Sequence, residues 1–127
     1  MMTPSTRVAV VDDDASVRKA LARLLSASSF ETATYGSAQD FLKSLDTGRP
    51  DCLVVDLHMP DLTGYELQRQ LVRSGIHIPT VVITGQSEPG LRERCKSAGA
   101  AALLLKPLDA SSLIGAINEA IRHESVG

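Results

Sequence analysis

Short, continuously apolar runs alternate along the chain with longer stretches in which apolar residues recur every three or four positions. A continuous run rich in β-branched residues is typical of a strand buried on both faces, as in a parallel sheet. The strand-like runs are "RVAVV" (7–11), "CLVV" (52–55), "TVVI" (80–83) and "AALLL" (101–105). A weaker alternation in "ETATY" (31–35) predicts an edge strand.

Helical periodicity follows each of these five segments. The residues that share one side of the successive helices are Val17, Leu21, Leu24 and Ser28; Ala38, Phe41, Leu42 and Leu45; Leu67, Leu71 and Val72; Leu91, Cys95 and Ala98; and Leu113, Ile117, Ala120 and Ile121. Five strand–helix units of this length predict right-handed crossovers and a parallel sheet. The third helix is predicted to turn Leu67, Leu71 and Val72 toward the core.

Helix ends can be predicted from capping residues. Ser37 is the predicted cap of the second helix, and Thr63 or Asp61 that of the third. Ser87 is the predicted cap of the fourth helix, which would hold Pro89 in its first turn and end at Gly99.

Length and composition indicate one ordinary globular domain. The chain has 127 residues, of which 43% are hydrophobic and 22% charged, and a net charge of −2. That charge gives no sign of a surface for nucleic acid or an anionic membrane. With two Tyr, two Phe and no Trp, the core has to be aliphatic.

The cysteines and the amino terminus bear on location. Cys52 and Cys95 fall in a strand-like and a helix-like segment, where we interpret them as small core hydrophobes in a reducing compartment. "MMTPSTR" has no apolar signal-peptide region, and no apolar run reaches 18 residues. We therefore expect a cytoplasmic protein that does not span a membrane.

Polar residues follow four of the predicted strands. Asp12, Asp13 and Asp14 come after the first strand, Asp56 after the third, Thr84 after the fourth and Lys106 after the fifth. The carboxyl ends of parallel strands share one edge of the sheet, which is where ligands bind in open α/β folds. The sequence therefore predicts one pocket made from distant parts of the chain.

The side chains of that pocket indicate a reaction class. Asp12, Asp13 and Asp56 would repel one another strongly unless a cation held them, and Mg²⁺ prefers carboxylate, carbonyl and water oxygens. A carboxylate nucleophile, a metal, a lysine and a hydroxyl are the parts needed to transfer a phosphoryl group onto a carboxylate. Serine and histidine are not placed for an acyl-transfer triad, and no glycine-rich phosphate loop is present.

The order and spacing of "VVDDD", "VVDLHMPDLTG", "VVITG" and "LLLKP" resemble the receiver domain of two-component response regulators over about residues 7–122. "GYELQRQL" and "IPTVVITG" resemble the FixJ-type branch. The resemblance implies a flavodoxin-like, doubly wound α/β fold with five parallel strands in the order 2-1-3-4-5 and five helices. It also implies that residues 1–127 form a single receiver domain without an output domain.

The resemblance implies roles for individual residues. Asp56 would accept a phosphoryl group from a phosphohistidine of a sensor kinase or phosphotransfer protein. Asp12, Asp13, Asp56 and the backbone carbonyl of His58 would hold Mg²⁺. Lys106 would contact the phosphoryl oxygens, Thr84 would turn toward them, Gly64 would be the turn glycine and Pro107 would follow a cis bond. Asp14 is interpreted as the cap of the first helix, and the His58 imidazole as exposed.

One position departs from the family pattern. Three residues before the lysine the family usually carries Tyr or Phe, and this chain has Leu103. The aromatic version of the switch is therefore absent. We expect Thr84 and the loop after it to carry the response, and the fourth helix, fifth strand and fifth helix to form the output surface.

Other interpretations stay open at this point. Asp12 and Asp14 loosely fit a haloacid-dehalogenase-like phosphatase, although strand four supplies no further carboxylate. A pseudo-receiver that binds partners without taking phosphate is a second alternative. FixJ-type receivers usually precede a helix-turn-helix DNA-binding domain, which this chain lacks, so it is either a stand-alone receiver or part of a longer protein. It would signal through an unknown downstream protein, with a dimer possible on phosphorylation and no direct binding of nucleic acid.

Overall fold

Five strands and five helices alternate along the chain in the computed structural model, which describes residues 6–60 and 62–126 and side chains as far as residue 122. The strands are β1 Arg7–Val11, β2 Glu31–Tyr35, β3 Cys52–Asp56, β4 Thr80–Thr84 and β5 Ala102–Leu105. The helices are α1 Ala15–Ala27, α2 Ala38–Ser44, α3 Gly64–Arg73, α4 Leu91–Ser97 and α5 Ala110–Val126.

The strands form one parallel sheet in the order β2-β1-β3-β4-β5. This confirms the predicted α/β fold, its strand order and the edge position of β2. The register sets Val11 beside Val55, Asp56 beside Ile83, and Thr84 beside Leu105. The carboxyl ends of the four polar-ended strands therefore lie side by side.

Side chains from the two faces of the sheet form two cores. On one face, β1 contributes Ala9 and Val11, which pack with residues of α2, α3 and α4. On the other face, Val8 and Val10 of the same strand pack with α1 and α5. Alternate residues of a strand point to opposite faces, so a strand covered on both faces has to be apolar throughout.

The two cysteines are buried and free, as predicted. Burial raises the pKa of the Cys52 thiol to about 12, so that thiol stays protonated. Burial also raises the pKa of Cys95, on α4. Both side chains therefore serve as small apolar groups of the core.

The side of α3 that faces the core differs from the prediction at one position. Val72 is 59% exposed, whereas the polar Gln68 is buried beside Leu67 and Leu71. Gln68 Nε2 donates a hydrogen bond to Thr80 Oγ1 at 2.8 Å, which satisfies the amide inside the protein. The prediction was wrong because it centred the buried stripe on apolar residues alone.

A similar shift occurs in α1, where the fully buried residues are Leu21 and Leu25. Val17 and Leu24 are only partly buried. Ser28 is the C-cap, and its hydroxyl donates to the carbonyl of Leu24 at 3.1 Å. Ser28 therefore ends the helix instead of continuing its buried side.

Capping was predicted correctly for three helices, including α1, which Asp14 caps, and wrongly for a fourth. Ser37 caps α2, and Thr63 caps α3 in a capping box with Glu66. The alternative cap Asp61 lies outside the described residues. Ser87 does not cap α4, because that helix begins at Leu91 after Gly90, which takes a left-handed conformation at φ 77° and offers no side-chain cap.

The far end of α4 is close to the prediction: its C-cap is Ala98, followed by Gly99 at φ 102°. A glycine is favoured in that left-handed conformation because other residues meet steric strain there. Among the described residues, no helix is both long and apolar enough to cross a membrane.

Candidate functional site

Three carboxylates meet at the carboxyl edge of the sheet. Asp12, Asp13 and Asp56 each place a carboxylate oxygen within 4.8 Å of the others. Asp12 and Asp56 are buried, at 0% and 6% exposure, whereas Asp13 is exposed. The strands β1 and β3 are neighbours, so the fold itself brings residues 12 and 56 together.

Asp12 is held by both its side chain and its backbone. Its Oδ1 accepts a hydrogen bond from the amide of Asp14 at 2.9 Å, and its Oδ2 lies 3.2 Å from Lys106 Nζ. Its amide donates to the carbonyl of Tyr35 at 3.1 Å. Arg18 Nη1, on α1, donates to the carbonyl oxygen of Asp12 at 2.8 Å.

Asp56 shares the same lysine. Lys106 Nζ lies 3.6 Å from Asp56 Oδ1, and the amide of His58 donates to that oxygen at 3.4 Å. Burial, followed by the negative charge of Asp12, raises the pKa of Asp56, while Lys106 and the His58 amide act in the opposite direction. One ammonium group therefore faces a buried site that carries more negative than positive charge.

Gly64 allows the loop after β3 to return close to Asp56. The amide of Gly64 donates to the carbonyl of Leu57 at 3.0 Å. A Cβ at position 64 would lie 2.8 Å from the carbonyl oxygen of Asp56 and 3.1 Å from Cα of Leu57. Any larger residue would therefore displace the backbone that carries the predicted phospho-acceptor.

Thr84 is buried at the end of β4, and its hydroxyl is engaged within its own loop. Thr84 Oγ1 donates to the carbonyl of Gln86 and accepts from the amide of the same residue, each at 3.2 Å. The amide of Lys106 donates to the carbonyl of Thr84 at 2.8 Å. The Lys106–Pro107 peptide bond is cis, as the resemblance implied.

The remaining predicted residues are placed as follows. Asp14 caps α1, accepting from the amides of Ser16 and Val17, so its carboxylate serves the helix. His58 is exposed. Leu103 is 7% exposed and belongs to the core on the α4 side of the sheet.

The donor set of the cluster fits Mg²⁺. Three carboxylates offer hard oxygen ligands within reach of one ion, and a single lysine offsets only part of their charge. Asp13 is exposed, so an ion would also have room for water or phosphate oxygens. Sequence reasoning found these carboxylates but missed Arg18, because a cation on the surface of a helix carries no signal in the spacing of residues.

Comparison with known proteins places the chain in a class. The profile of the response regulator receiver domain matches residues 8–118, so the chain belongs to this family of phosphorylation-dependent signalling domains. The phosphatase alternative has no support from this match.

Individual relatives agree with the FixJ-type assignment. The chain is 39% identical to the transcriptional regulatory protein FixJ of Rhizobium meliloti, over 91% of this chain and 57% of that protein. It is 35% identical to nodulation protein W of Bradyrhizobium diazoefficiens, over 92% of this chain and 52% of that protein. The chain thus spans about half the length of these curated relatives.

The solved structures agree as well. The crystal structure of FixJ-N superposes with a TM-score of 0.87 at 37% identity, covering 95% of this chain and 97% of that one. A response regulator receiver protein from Burkholderia phymatum gives a TM-score of 0.82 at 38% identity, covering 93% and 96%.

Proposed function

We propose that this receiver accepts a phosphoryl group from a phosphohistidine onto Asp56, in a reaction that requires Mg²⁺. The donor would be a sensor histidine kinase or a phosphotransfer protein. The observation that carries the proposal is the set of three carboxylates within 4.8 Å, two of which share Lys106. Family membership supports the same chemistry.

Each residue has a task in this reaction. An Asp56 carboxylate oxygen attacks the phosphorus, the new O–P bond forms, and the P–N bond to the partner's histidine breaks. Lys106 lies beside Asp56 Oδ1, and its ammonium group would stabilise the negative charge on the phosphoryl oxygens after transfer. Bound Mg²⁺, held by Asp12, Asp13, Asp56 and the His58 carbonyl, would neutralise charge on the same oxygens.

The response would begin at Thr84. Its hydroxyl can donate only one hydrogen bond, which is given to Gln86 in the unphosphorylated protein. Turning toward a phosphoryl group on Asp56 breaks both contacts with Gln86. The loop that leads to Gly90 and α4 is then free to rearrange, and Leu103 provides no aromatic ring to follow it.

The surface formed by α4, β5 and α5 would transmit the change to a downstream protein. A second copy of this chain is one possible partner, in a dimer that forms on phosphorylation. The relatives named transcriptional regulators are longer than this chain, so we propose no direct contact with nucleic acid by these residues.

The two buried free thiols support a reducing, cytoplasmic location.

The test is phosphorylation of the purified chain by acetyl phosphate, with intact mass as the readout. We expect one Mg²⁺-dependent phosphoryl adduct in the wild type and in Asp46→Asn, an exposed aspartate outside the cluster. Asp56→Asn should show none. An adduct that persists in Asp56→Asn contradicts the assignment, and no adduct in the wild type favours the pseudo-receiver alternative.

A further inference from the structure

Arg18 reaches from α1 to the loop that carries two of the three carboxylates. Its Nη1 lies 2.8 Å from the carbonyl oxygen of Asp12, and this carbonyl belongs to the peptide bond that joins Asp12 to Asp13. We propose that Arg18 is a positioning residue, which fixes this peptide plane and thereby aims the Asp13 carboxylate at the metal site. The inference rests on the proposed role of Mg²⁺ and extends it to a residue outside the cluster.

Of the three carboxylates in the cluster, Asp13 is the one whose position a change at Arg18 would affect most. The side chain of Asp12 is held by the Asp14 amide and Lys106, and that of Asp56 by Lys106 and the His58 amide. Asp13 is exposed, and among the described residues no hydrogen bond or ion pair to its carboxylate is found. The backbone therefore sets the direction of its Cα–Cβ bond and with it the positions that the carboxylate can reach.

A peptide group is planar, so the direction of the Asp12 carbonyl also determines the direction of the Asp13 amide. The two rotations that could tilt this plane are ψ of Asp12 and φ of Asp13. The Asp12 amide, which belongs to the preceding peptide group, donates to Tyr35, so the backbone on the amino-terminal side of this plane is anchored to the sheet. The charged hydrogen bond from Arg18 holds the carbonyl of the plane itself.

Gly36, next after β2, leaves room for the guanidinium group. A Cβ at position 36 would lie 3.3 Å from Arg18 Nη1 and 3.6 Å from Cζ. The approach to Nη1 is closer than most Cβ contacts, so a side chain at position 36 would shift the guanidinium by a few tenths of an ångström, and a larger side chain would shift it further. Gly36 does not have a positive φ, so other residues can adopt its backbone conformation. Substitution at position 36 therefore perturbs the contact without removing the charge.

The positioning role and a simple charge effect predict opposite results. Arg18 is a cation close to a cation site, so its charge alone opposes the binding of Mg²⁺. If charge decided, Arg18→Ala would tighten Mg²⁺ binding. If positioning decides, the same change weakens it, and residues that orient metal ligands change affinity by about 10–100-fold.

The experiment measures the Kd for Mg²⁺ by isothermal titration in four variants. We expect Arg18→Ala to raise the Kd about 10-fold or more. Gly36→Val should also raise the Kd. Arg18→Gln keeps a hydrogen-bond donor without the charge and should bind better than Arg18→Ala. Lys19→Ala removes an exposed neighbouring charge of α1 and should leave the Kd unchanged or lower it.

Unchanged or tighter binding in Arg18→Ala overturns the proposal. A second readout uses the metal-free proteins: exchange of the Asp14 amide, which donates to Asp12 Oδ1, should be faster in Arg18→Ala than in Lys19→Ala, with exchange in α5 equal. Equal exchange at Asp14 also overturns the positioning role. If the wild type itself binds no Mg²⁺, the proposed function fails, and this exchange measurement alone decides whether Arg18 holds the loop.

Discussion

At the scale of single residues, Gly64 is the described glycine at which an added Cβ would come closest to other atoms. A Cβ there would lie 2.8 Å from the carbonyl oxygen of Asp56, and this neighbour is backbone that cannot rotate away. We predict that Gly64→Ala lowers the free energy of unfolding by about 1–3 kcal/mol, the usual cost of overpacking. Urea unfolding followed by circular dichroism measures it.

Gly115 provides the matched control for this prediction. It lies in α5 without a positive φ, and a Cβ there would meet no atom within 4 Å. Because alanine is the better helix former, Gly115→Ala should raise the free energy of unfolding by about 0.5–1 kcal/mol. Equal losses in the two variants would show that backbone contact at Gly64 is not the cause.

Single residues also show what sequence can and cannot reveal about the site. Asp12, Asp56 and Lys106 could be predicted because each interrupts or ends an apolar run at the same edge of a parallel sheet. Arg18 could not, since only the three-dimensional path of α1 brings its guanidinium to the Asp12 carbonyl. The inward position of Gln68 was equally hidden, because its partner Thr80 is on another element.

At the scale of elements, the loop from β4 to α4 should report phosphorylation. The Gln86 amide donates to Thr84 Oγ1, and this contact is lost if the hydroxyl turns to the phosphoryl group. We predict faster amide exchange at Gln86 in the phosphorylated protein than in the unphosphorylated one. Hydrogen exchange read by NMR, with acetyl phosphate and Mg²⁺ present or absent, measures the change.

Thr84→Ala separates this response from any general loosening. The variant lacks the hydroxyl, so its Gln86 amide should already exchange fast and should not change on phosphorylation. Exchange in β1, which lies two strands away from β4 in the sheet, serves as the internal reference. Identical exchange at Gln86 in both states of the wild type would contradict the proposed route to α4.

The start of α5 gives a prediction about pH. Asp109 precedes this helix, and its carboxylate accepts from the Ser112 amide at 2.7 Å and from the Ser112 hydroxyl at 3.1 Å. The hydrogen bond from the amide, followed by that from the hydroxyl, lowers the pKa of Asp109. A carboxylate with a lowered folded pKa stabilises the fold above its unfolded pKa of about 3.9, and this contribution is lost as pH falls through the folded value.

At pH 7, Asp109→Ala should therefore melt at a lower temperature than the wild type. The difference between the two melting temperatures should become smaller as the pH falls below about 3.9. Asp46→Ala is the control, because Asp46 is exposed and has no side-chain hydrogen bond among the described residues. Thermal unfolding across this pH range measures both. A gap that does not change with pH would mean that the ionised carboxylate is not what holds the helix start.

Strands and helices differed in how well the sequence predicted them. The strands were found because a strand covered on both faces has to be apolar at nearly every position, as "CLVV" and "TVVI" are. The start of α4 was misplaced because Ser87 is a common cap, while Gly90 stops any earlier start by taking a left-handed conformation. The capping preferences of single residues cannot show where α4 begins, because the start of this helix depends on the path that the chain takes after it leaves β4.

At the scale of the whole molecule, the carboxylate cluster that can bind a cation also lowers the stability of the metal-free protein. Two buried carboxylates and one exposed carboxylate face a single lysine, so the metal-free protein carries repulsion that folding has to overcome. Asp13 contributes to this repulsion without a hydrogen bond in return among the described residues. Removing its charge should therefore stabilise the metal-free protein.

We predict that Asp13→Asn raises the free energy of unfolding in EDTA by less than about 1 kcal/mol, as expected for an exposed charge. Saturating Mg²⁺ should reverse the order, because a ligand that binds only the folded state adds about 2.7 kcal/mol at a concentration of 100 Kd, and Asp13→Asn binds more weakly. Urea unfolding in EDTA and in Mg²⁺ measures both, with Asp46→Asn as the control that should follow the wild type. If Asp13→Asn gains as much from Mg²⁺ as the wild type does, Asp13 is not a ligand, and the ion is held by the other proposed ligands, Asp12, Asp56 and the His58 carbonyl.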